Sequence, residues 1–261
     1  MKVISVTPAG RAKYINILAR YLLKNREYID EHHFWINTDN KEDIDAIKKW
    51  CSTRPDFFKA IHPDFPPPRT PKTIHHFFKN YCDLETIYLR FDDDICWMGG
   101  DCVSRLLRYR MENKDFFLVY ANTVNHTTCN RMHQINGCCP LGLDFYFSGE
   151  DAERIHESFL QNITRGETHL YAFENYEIKD RERVSVNAIS WFGKDLYPIK
   201  GNVIGNEEHF LAVDYPALLG KTNSICGSAL CCHFAYAPQR PYLELTKVLS
   251  KYEKLSNKIH I

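Results

Sequence analysis

The stretch Ile87-Tyr88-Leu89-Arg90-Phe91-Asp92-Asp93-Asp94-Ile95-Cys96-Trp97-Met98 runs apolar, turns acidic for three residues, and becomes apolar again. Its β-branched and aromatic residues predict a buried strand. Three unpaired carboxylates cannot sit inside such a strand, because desolvating each is costly unless a cation or strong donors meet it. The acids are therefore expected where the strand leaves the sheet, at the mouth of a cleft. Strand alternation would point Asp92 and Asp94 the same way. Two converging hard oxygen donors suit Mg²⁺ or Mn²⁺, ions that often bind through one or two carboxylates plus substrate phosphates. A solvated acidic turn or a helix N-terminus is the plainer alternative, and the apolar flanks speak against it.

Upstream, Lys2 to Val6 read as a first strand, Thr7 to Arg11 as a turn, and Ile15, Leu18, Ala19, Leu22 and Leu23 as one helix face ending near Asn25. This is the first half of a βαβ unit. Ligands of open α/β sheets bind at the carboxyl ends of strands, which brings Thr7, Pro8 and Arg11 into the candidate cleft. Arg11 could reach a phosphate or stack on a base. A second strand, His33 to Asp39, leaves Asp39 on the same rim, where it could accept from a ribose hydroxyl or cap the helix expected from Glu42 to Trp50. Residues 54–71 hold six of the twelve prolines and predict a stiff, extended connection. A helix over Thr73 to Tyr81 then feeds the central stretch.

Downstream, the sequence predicts a helix over Cys102 to Glu112, a strand over Phe116 to Ala121 and an irregular loop over 122–142. Ser148 and Asp151 resemble a capping box opening a helix striped by Ala152, Ile155, Phe159 and Ile163. From about 165 onward strand-like runs, such as Val184 to Trp191, follow one another without clear helices. Gly205-Asn206-Glu207-Glu208-His209 supplies a second acidic pair, and Ser228 to Ala237 a strand that turns His233 away from Cys232 and Phe234. An amphipathic helix with Leu245, Val248, Leu249, Tyr252 and Leu255 closes the chain.

Length and charge narrow the function. A chain of 261 residues suits one large domain or two halves sharing a core. Lys+Arg and Asp+Glu balance at 33 each, which argues against a nucleic-acid or membrane-surface footprint. No apolar run approaches the roughly 18 residues of a membrane span, and the first residues do not read as a signal peptide. The ten cysteines contain no Cys-x-x-Cys pair, so they are expected as reduced, buried thiols of a soluble cytoplasmic protein.

A divalent cation at Asp92 and Asp94 would neutralise a diphosphate and make it a better leaving group. A carboxylate across the cleft could deprotonate an attacking hydroxyl. The whole chain resembles nucleotide-sugar-dependent glycosyltransferases of the GT-A fold, the Asp-x-Asp family. The resemblance rests on the Val3-Ile4-Ser5-Val6-Thr7-Pro8 strand and turn, Asp39, Phe91-Asp92-Asp93-Asp94, Gly205-Asn206-Glu207-Glu208, and His233. It implies an α/β fold with a Rossmann-like mixed central sheet flanked by helices and an irregular C-terminal acceptor side. It also implies a single domain over 1–261, with a nucleotide-sugar-binding half (1–150) and an acceptor-binding and catalytic half (151–261).

By the same resemblance, Asp92, Asp94 and His233 would hold Mn²⁺ or Mg²⁺. Thr7, Pro8, Arg11 and Asp39 would hold the nucleoside, and Asp93 would touch the ribose or donor sugar. Arg240 and Lys221 are candidate diphosphate partners. The resemblance implies a UDP-sugar donor, or a GDP-sugar, and a glycan or other hydroxyl acceptor. Glu208 would be the general base of an inverting hexosyl or pentosyl transfer, with Glu207 as the alternative; many inverting members carry Asp where Glu208 stands. Two other readings stay open. A haloacid-dehalogenase-like phosphatase also uses Asp-x-Asp, although Cys96 stands where its Thr or Val belongs. A non-catalytic sugar- or nucleotide-binding protein could share the fold.

Overall fold

The computed structural model describes residues 1–178 and 182–260, apart from the side chains of residues 71 and 72. In chain order the strands are β1 (Lys2–Ala9), β2 (Glu31–Ile36), β3 (Phe58–Ile61), β4 (Thr86–Phe91), β5 (Ile95–Met98), β6 (Val119–Val124), β7 (Tyr176–Ile178), β8 (Ala188–Phe192) and β9 (Asn223–His233). The longer helices are α1 (Ala12–Lys24), α2 (Lys41–Thr53), α3 (Cys102–Glu112), α4 (Thr127–Ile135) and α5 (Gly149–Arg165).

The strands join one sheet in the order β3-β2-β1-β4-β8-β6-β9-β5, with β7 on β9. β3, β2, β1 and β4 run parallel, β8 is antiparallel to both β4 and β6, and β6 is parallel to β9. The chain thus folds into the Rossmann-like mixed α/β sheet expected of it, and β8 and β9 of the second half complete the sheet of the first. β4 is buried at every residue, and strand alternation divides its side chains between two cores. Ile87, Leu89 and Phe91 pack with Leu18, Leu22, Leu106 and Phe159 under the helices. Tyr88 packs on the other face with Trp35, Phe77, Phe78 and Trp191.

Local chemistry explains the helix ends. The Asn40 side chain accepts from the amides of Glu42 and Asp43 and opens α2. Ser148 accepts from the Asp151 amide at 3.1 Å. Gly166, at φ 73, ends α5 in the left-handed conformation a glycine adopts without strain. Asp151 does not complete the capping box. Its carboxylate accepts instead from the Asp144 amide at 3.0 Å.

Several boundaries differ from the sequence reading. β1 continues through Thr7, Pro8 and Ala9 because β2 pairs with it to Ala9. The proline-rich connection contains β3, an edge strand parallel to β2. The segment over Pro71–Asn80 is a 3-10 helix. Residues 122–142 contain α4, whose buried face is Thr128, Cys129, Asn130 and His133, too polar to show an apolar stripe. β9 carries an irregularity: Ala121 of β6 pairs with Cys226, yet the next residue, Asn122, pairs with Leu230. Asn122 Nδ2 spans the break by donating to the carbonyls of Gly227 and Tyr171, each at 2.8 Å. No described helix is long and apolar enough to cross a membrane. All ten cysteines are free thiols, and eight are buried.

Candidate active site

Asp92 to Asp94 lie in a reversal between β4 and β5, closed by the Ile95 amide donating to the Asp92 carbonyl at 3.0 Å. Asp92 and Asp94 both line the cleft, and Asp93 and Asp94 converge. Arg11 joins them: its Nε donates to Asp93 Oδ1 at 3.0 Å, and its Nη2 lies 3.1 Å from Asp94 Oδ2. The Gly10 amide donates to Asp93 Oδ2 at 3.0 Å. Arg240 Nη2 approaches Asp94 Oδ2, and His233 Nε2 approaches Asp94 Oδ1, each at 3.5 Å. Burial raises the Asp93 carboxyl above its ordinary pKa against the pull of Arg11. Burial would raise Asp94 too, but Arg11, His233 and Arg240 outweigh it and hold that carboxyl low.

Asp92 belongs to a different set. Its Oδ1 accepts from Arg90 Nε at 2.9 Å, and its Oδ2 accepts from Asn187 Nδ2 at 3.2 Å. Arg90 is the residue the sequence reading missed. It is only 4% exposed, with its guanidinium carbon 5.3 Å and 5.8 Å from the ring centres of Phe77 and Phe78. It also donates to Glu207 Oε1, so one buried cation ties the first acidic run to the second. The signal was present: a charged residue inside an apolar strand stays there only when paired.

Glu207 and Glu208 open a one-turn helix, Glu207–His209, in which Asn206 Oδ1 accepts from the His209 amide at 3.0 Å. Burial pushes the Glu207 pKa up to about 7 although Arg90 pulls it down. Glu208 turns the other way. Its Oε2 accepts from Arg183 Nε at 3.0 Å and Nη2 at 2.6 Å, and its Oε1 accepts from the Ser185 hydroxyl.

Two joined hollows face these groups. One, of about 570 Å³, is lined by Arg11, Asp92, Asp94, Glu207, Glu208 and His233 among others. The second, of about 480 Å³, is lined by Pro8, Asn37, Thr38, Arg69 and Asp93 and shares Arg11, Arg90, Asp92, Glu207 and Arg240 with the first. Both have the size of a small-molecule site.

Three expected residues are placed elsewhere. Thr7 is fully buried and donates to the Phe91 carbonyl at 2.7 Å, fastening β1 to the acidic reversal without lining either hollow. Asp39 neither lines the hollows nor caps α2. It accepts from Arg69 Nη1 at 2.8 Å and from the Arg69 amide at 2.7 Å, and so positions a residue that does line the second hollow. Lys221 pairs with Asp195 at 2.8 Å, outside the lining of both hollows.

The fit to a divalent cation rests on one atom. Asp94 Oδ1 is buried and has no hydrogen-bond partner among the described residues, and the His233 imidazole stands beside it. A carboxylate oxygen and an imidazole nitrogen suit Mn²⁺ or Mg²⁺, with phosphate oxygens and water left to fill the other positions. Asp92 lines the same hollow, with one oxygen accepting from Arg90 and the other from Asn187. Among the described residues no three His, Cys, Asp or Glu side chains gather closely enough to hold a metal by themselves.

No protein-family model matches this chain. No curated protein matches it either. Among solved structures it is similar to CMP:2-keto-3-deoxy-manno-octonic acid synthetase complexed with CTP, with a TM-score of 0.52 and 10% identity over 98% of this chain and 100% of that one. It is similar also to residues 1–349 of S. aureus TarS, with a TM-score of 0.52 and 13% identity over 99% of this chain and 69% of that one. At such identities the likeness is one of fold: the chain shares its α/β architecture with a synthetase solved with a nucleotide bound.

Proposed function

We propose that this chain is a glycosyltransferase that moves a sugar from a nucleoside diphosphate carrier, uridine favoured over guanosine, to an acceptor hydroxyl with inversion. The observation that carries the proposal is the order of charge along one cleft. Pro8, Asn37 and Arg69 line one end, Arg11, Arg240, Asp94 and His233 the middle, and Glu208 the other.

Pro8 and Arg69, the latter fixed by Asp39, would bound the nucleoside, and Asp93 would hold Arg11 beside the diphosphate. Arg11 and Arg240 would neutralise the departing phosphate oxygens. Asp94 and His233 would hold Mn²⁺ or Mg²⁺, which when bound adds positive charge on the leaving group. Glu208 would accept the proton of the acceptor hydroxyl as its oxygen bonds to the anomeric carbon. The bond from that carbon to the β-phosphate oxygen breaks, and the nucleoside diphosphate leaves with the electron pair. Glu207 is the second candidate for the proton. Its pairing with Arg90 suits it better to holding a donor-sugar hydroxyl.

Incubating the protein with a panel of UDP- and GDP-sugars and Mn²⁺ tests this directly. The expected result is metal-dependent release of nucleoside diphosphate. Absence of both that release and metal-dependent binding of UDP or GDP would overturn the proposal. Binding without turnover would favour the non-catalytic reading. The fold shared over its full length with the CTP-bound synthetase supports a second reading, nucleotidyl transfer. Its product from a nucleoside triphosphate is pyrophosphate, so product identity separates the two.

A further inference from the structure

A third hollow, of about 300 Å³, adjoins the cleft on the side of Glu208. It is lined by Thr127, Tyr146, Arg183, Ser185, Glu208 and Tyr236, and it shares the last four with the first hollow. Among the described residues Glu208 is the only acid in its lining. The Tyr146 and Tyr236 rings lie 4.9 Å apart, inclined at 41°. Tyr146 is 40% exposed, and Phe147 packs edge-on beside it at 4.8 Å.

This aromatic shelf is set before anything binds. Asp144 Oδ1 accepts from the amides of Tyr146 at 2.8 Å and Phe147 at 2.7 Å. The Asp144 amide in turn donates to Asp151 in the first turn of α5. The fully buried Gln239 fixes the shelf from behind. Its Nε2 donates to the Phe145 carbonyl at 3.1 Å, and its Oε1 accepts from the Tyr236 amide at 3.0 Å and from Asn125 Nδ2 at 3.1 Å. A platform ordered in advance spares a ligand the entropy of ordering it.

We propose that this hollow binds the acceptor, and that the acceptor is a pyranoside. The inference rests on the glycosyl-transfer reading and adds the substrate class to it. An exposed tyrosine offers a flat apolar face with a polar edge, which matches the C–H face of a sugar ring. The hydroxyls of Thr127 and Ser185 and the Arg183–Glu208 pair offer polar partners for the ring's hydroxyl rim. Little apolar enclosure is present for a lipid chain. A hydroxyl presented to Glu208 loses its proton to that carboxylate as its oxygen bonds to the anomeric carbon, as above.

The test is saturation-transfer NMR of methyl glucoside, galactoside, mannoside and N-acetylglucosaminide, in both anomers, with the full chain loaded with UDP and Mn²⁺. At least one glycoside is expected to show transfer concentrated on the C–H protons of one ring face. That signal should fall at least tenfold in Tyr146→Ala and persist in Tyr146→Phe. No glycoside bound at tens of millimolar, or binding that survives Tyr146→Ala, overturns the assignment. Binding lost equally in Tyr146→Phe overturns stacking as its basis. Hydrolysis of nucleotide-sugars by the wild-type chain is measured alongside. Its absence with a positive glycoside result strikes the transfer reading and leaves a sugar site, whereas hydrolysis without glycoside binding strikes only the acceptor assignment.

Discussion

Asp92-Asp93-Asp94 and Glu207-Glu208 face one cleft, and the backbone presents them in different ways. The aspartates occupy a reversal at the sheet centre, where Asp93 and Asp94 converge on Arg11 while Asp92 meets Arg90. Asp93 and Asp94 expose only 4% and 2% of their side chains. The glutamates begin a helical turn, where successive side chains diverge by about 100°. Glu207 therefore meets Arg90 inside, 11% exposed, and Glu208 meets Arg183 at the rim, 26% exposed. A reversal gathers neighbouring charges, and a helix deals them to separate jobs. Arg90 is the bond between the two arrangements.

The largest effect should come from the rim. Glu208→Gln is expected to cut transfer by on the order of 10²–10⁴ while donor affinity stays within a few-fold, as steady-state rates and titration calorimetry would show. Surviving turnover would move the base to Glu207 and erase the division between the two glutamates. Next comes the shared cation. Arg90→Met takes a buried cation from the part-buried Asp92 and Glu207 and should cost about 3 kcal/mol of stability in denaturant unfolding. A loss below about 1 kcal/mol, the scale of a surface pair, would mean that the two runs are not coupled through it.

Asp94→Asn should remove the metal dependence of donor binding. The expected loss of affinity in Mn²⁺ exceeds the roughly 10–100-fold that follows removal of a ligand's supporting partner. Affinity within a few-fold of wild type would make the cation assignment wrong. The smallest effect concerns Glu207. Its pKa is raised to about 7 from an ordinary 4.5, so the folded state holds a proton that the unfolded chain releases. Its contribution is complete below the unfolded value and is lost as pH rises through about 7. Relative to wild type, Glu207→Gln should therefore gain stability between pH 5 and 8, by on the order of 1–3 kcal/mol. A pH-independent difference in unfolding free energy would show that Glu207 does not titrate there.

Much of the fold was legible because periodicity and burial agree. α1 and α5 show apolar stripes, the second behind its Ser148 cap, and β4 shows an apolar run, so local pattern announces each. β3 hid among prolines, because an edge strand tolerates residues that a central strand cannot. α4 hid because hydrogen bonds, not apolar contacts, satisfy its inner face: His133 meets Asn122 Oδ1 at 2.7 Å. Acid positions near a strand end could be read, but not their partners. Arg90 reaches Glu207, Asn187 reaches Asp92 and Arg183 reaches Glu208 across long stretches of chain, and no local spacing announces that. Parity put Asp92 and Asp94 on one hollow but could not show that Asp93 also turns inward to Arg11, because alternation ends where the strand does.

The irregularity in β9 bears on how this chain tolerates changes in length. Between Ala121–Cys226 and Asn122–Leu230 the strand takes in three residues more than its neighbour. An odd surplus exchanges the two faces of everything that follows. Carried into the register that follows, one residue gained or lost there would present Cys232 or Phe234 beside Asp94, and two would present Cys231 or Ala235. The histidine of this cleft is specified by a count of residues as much as by its own identity.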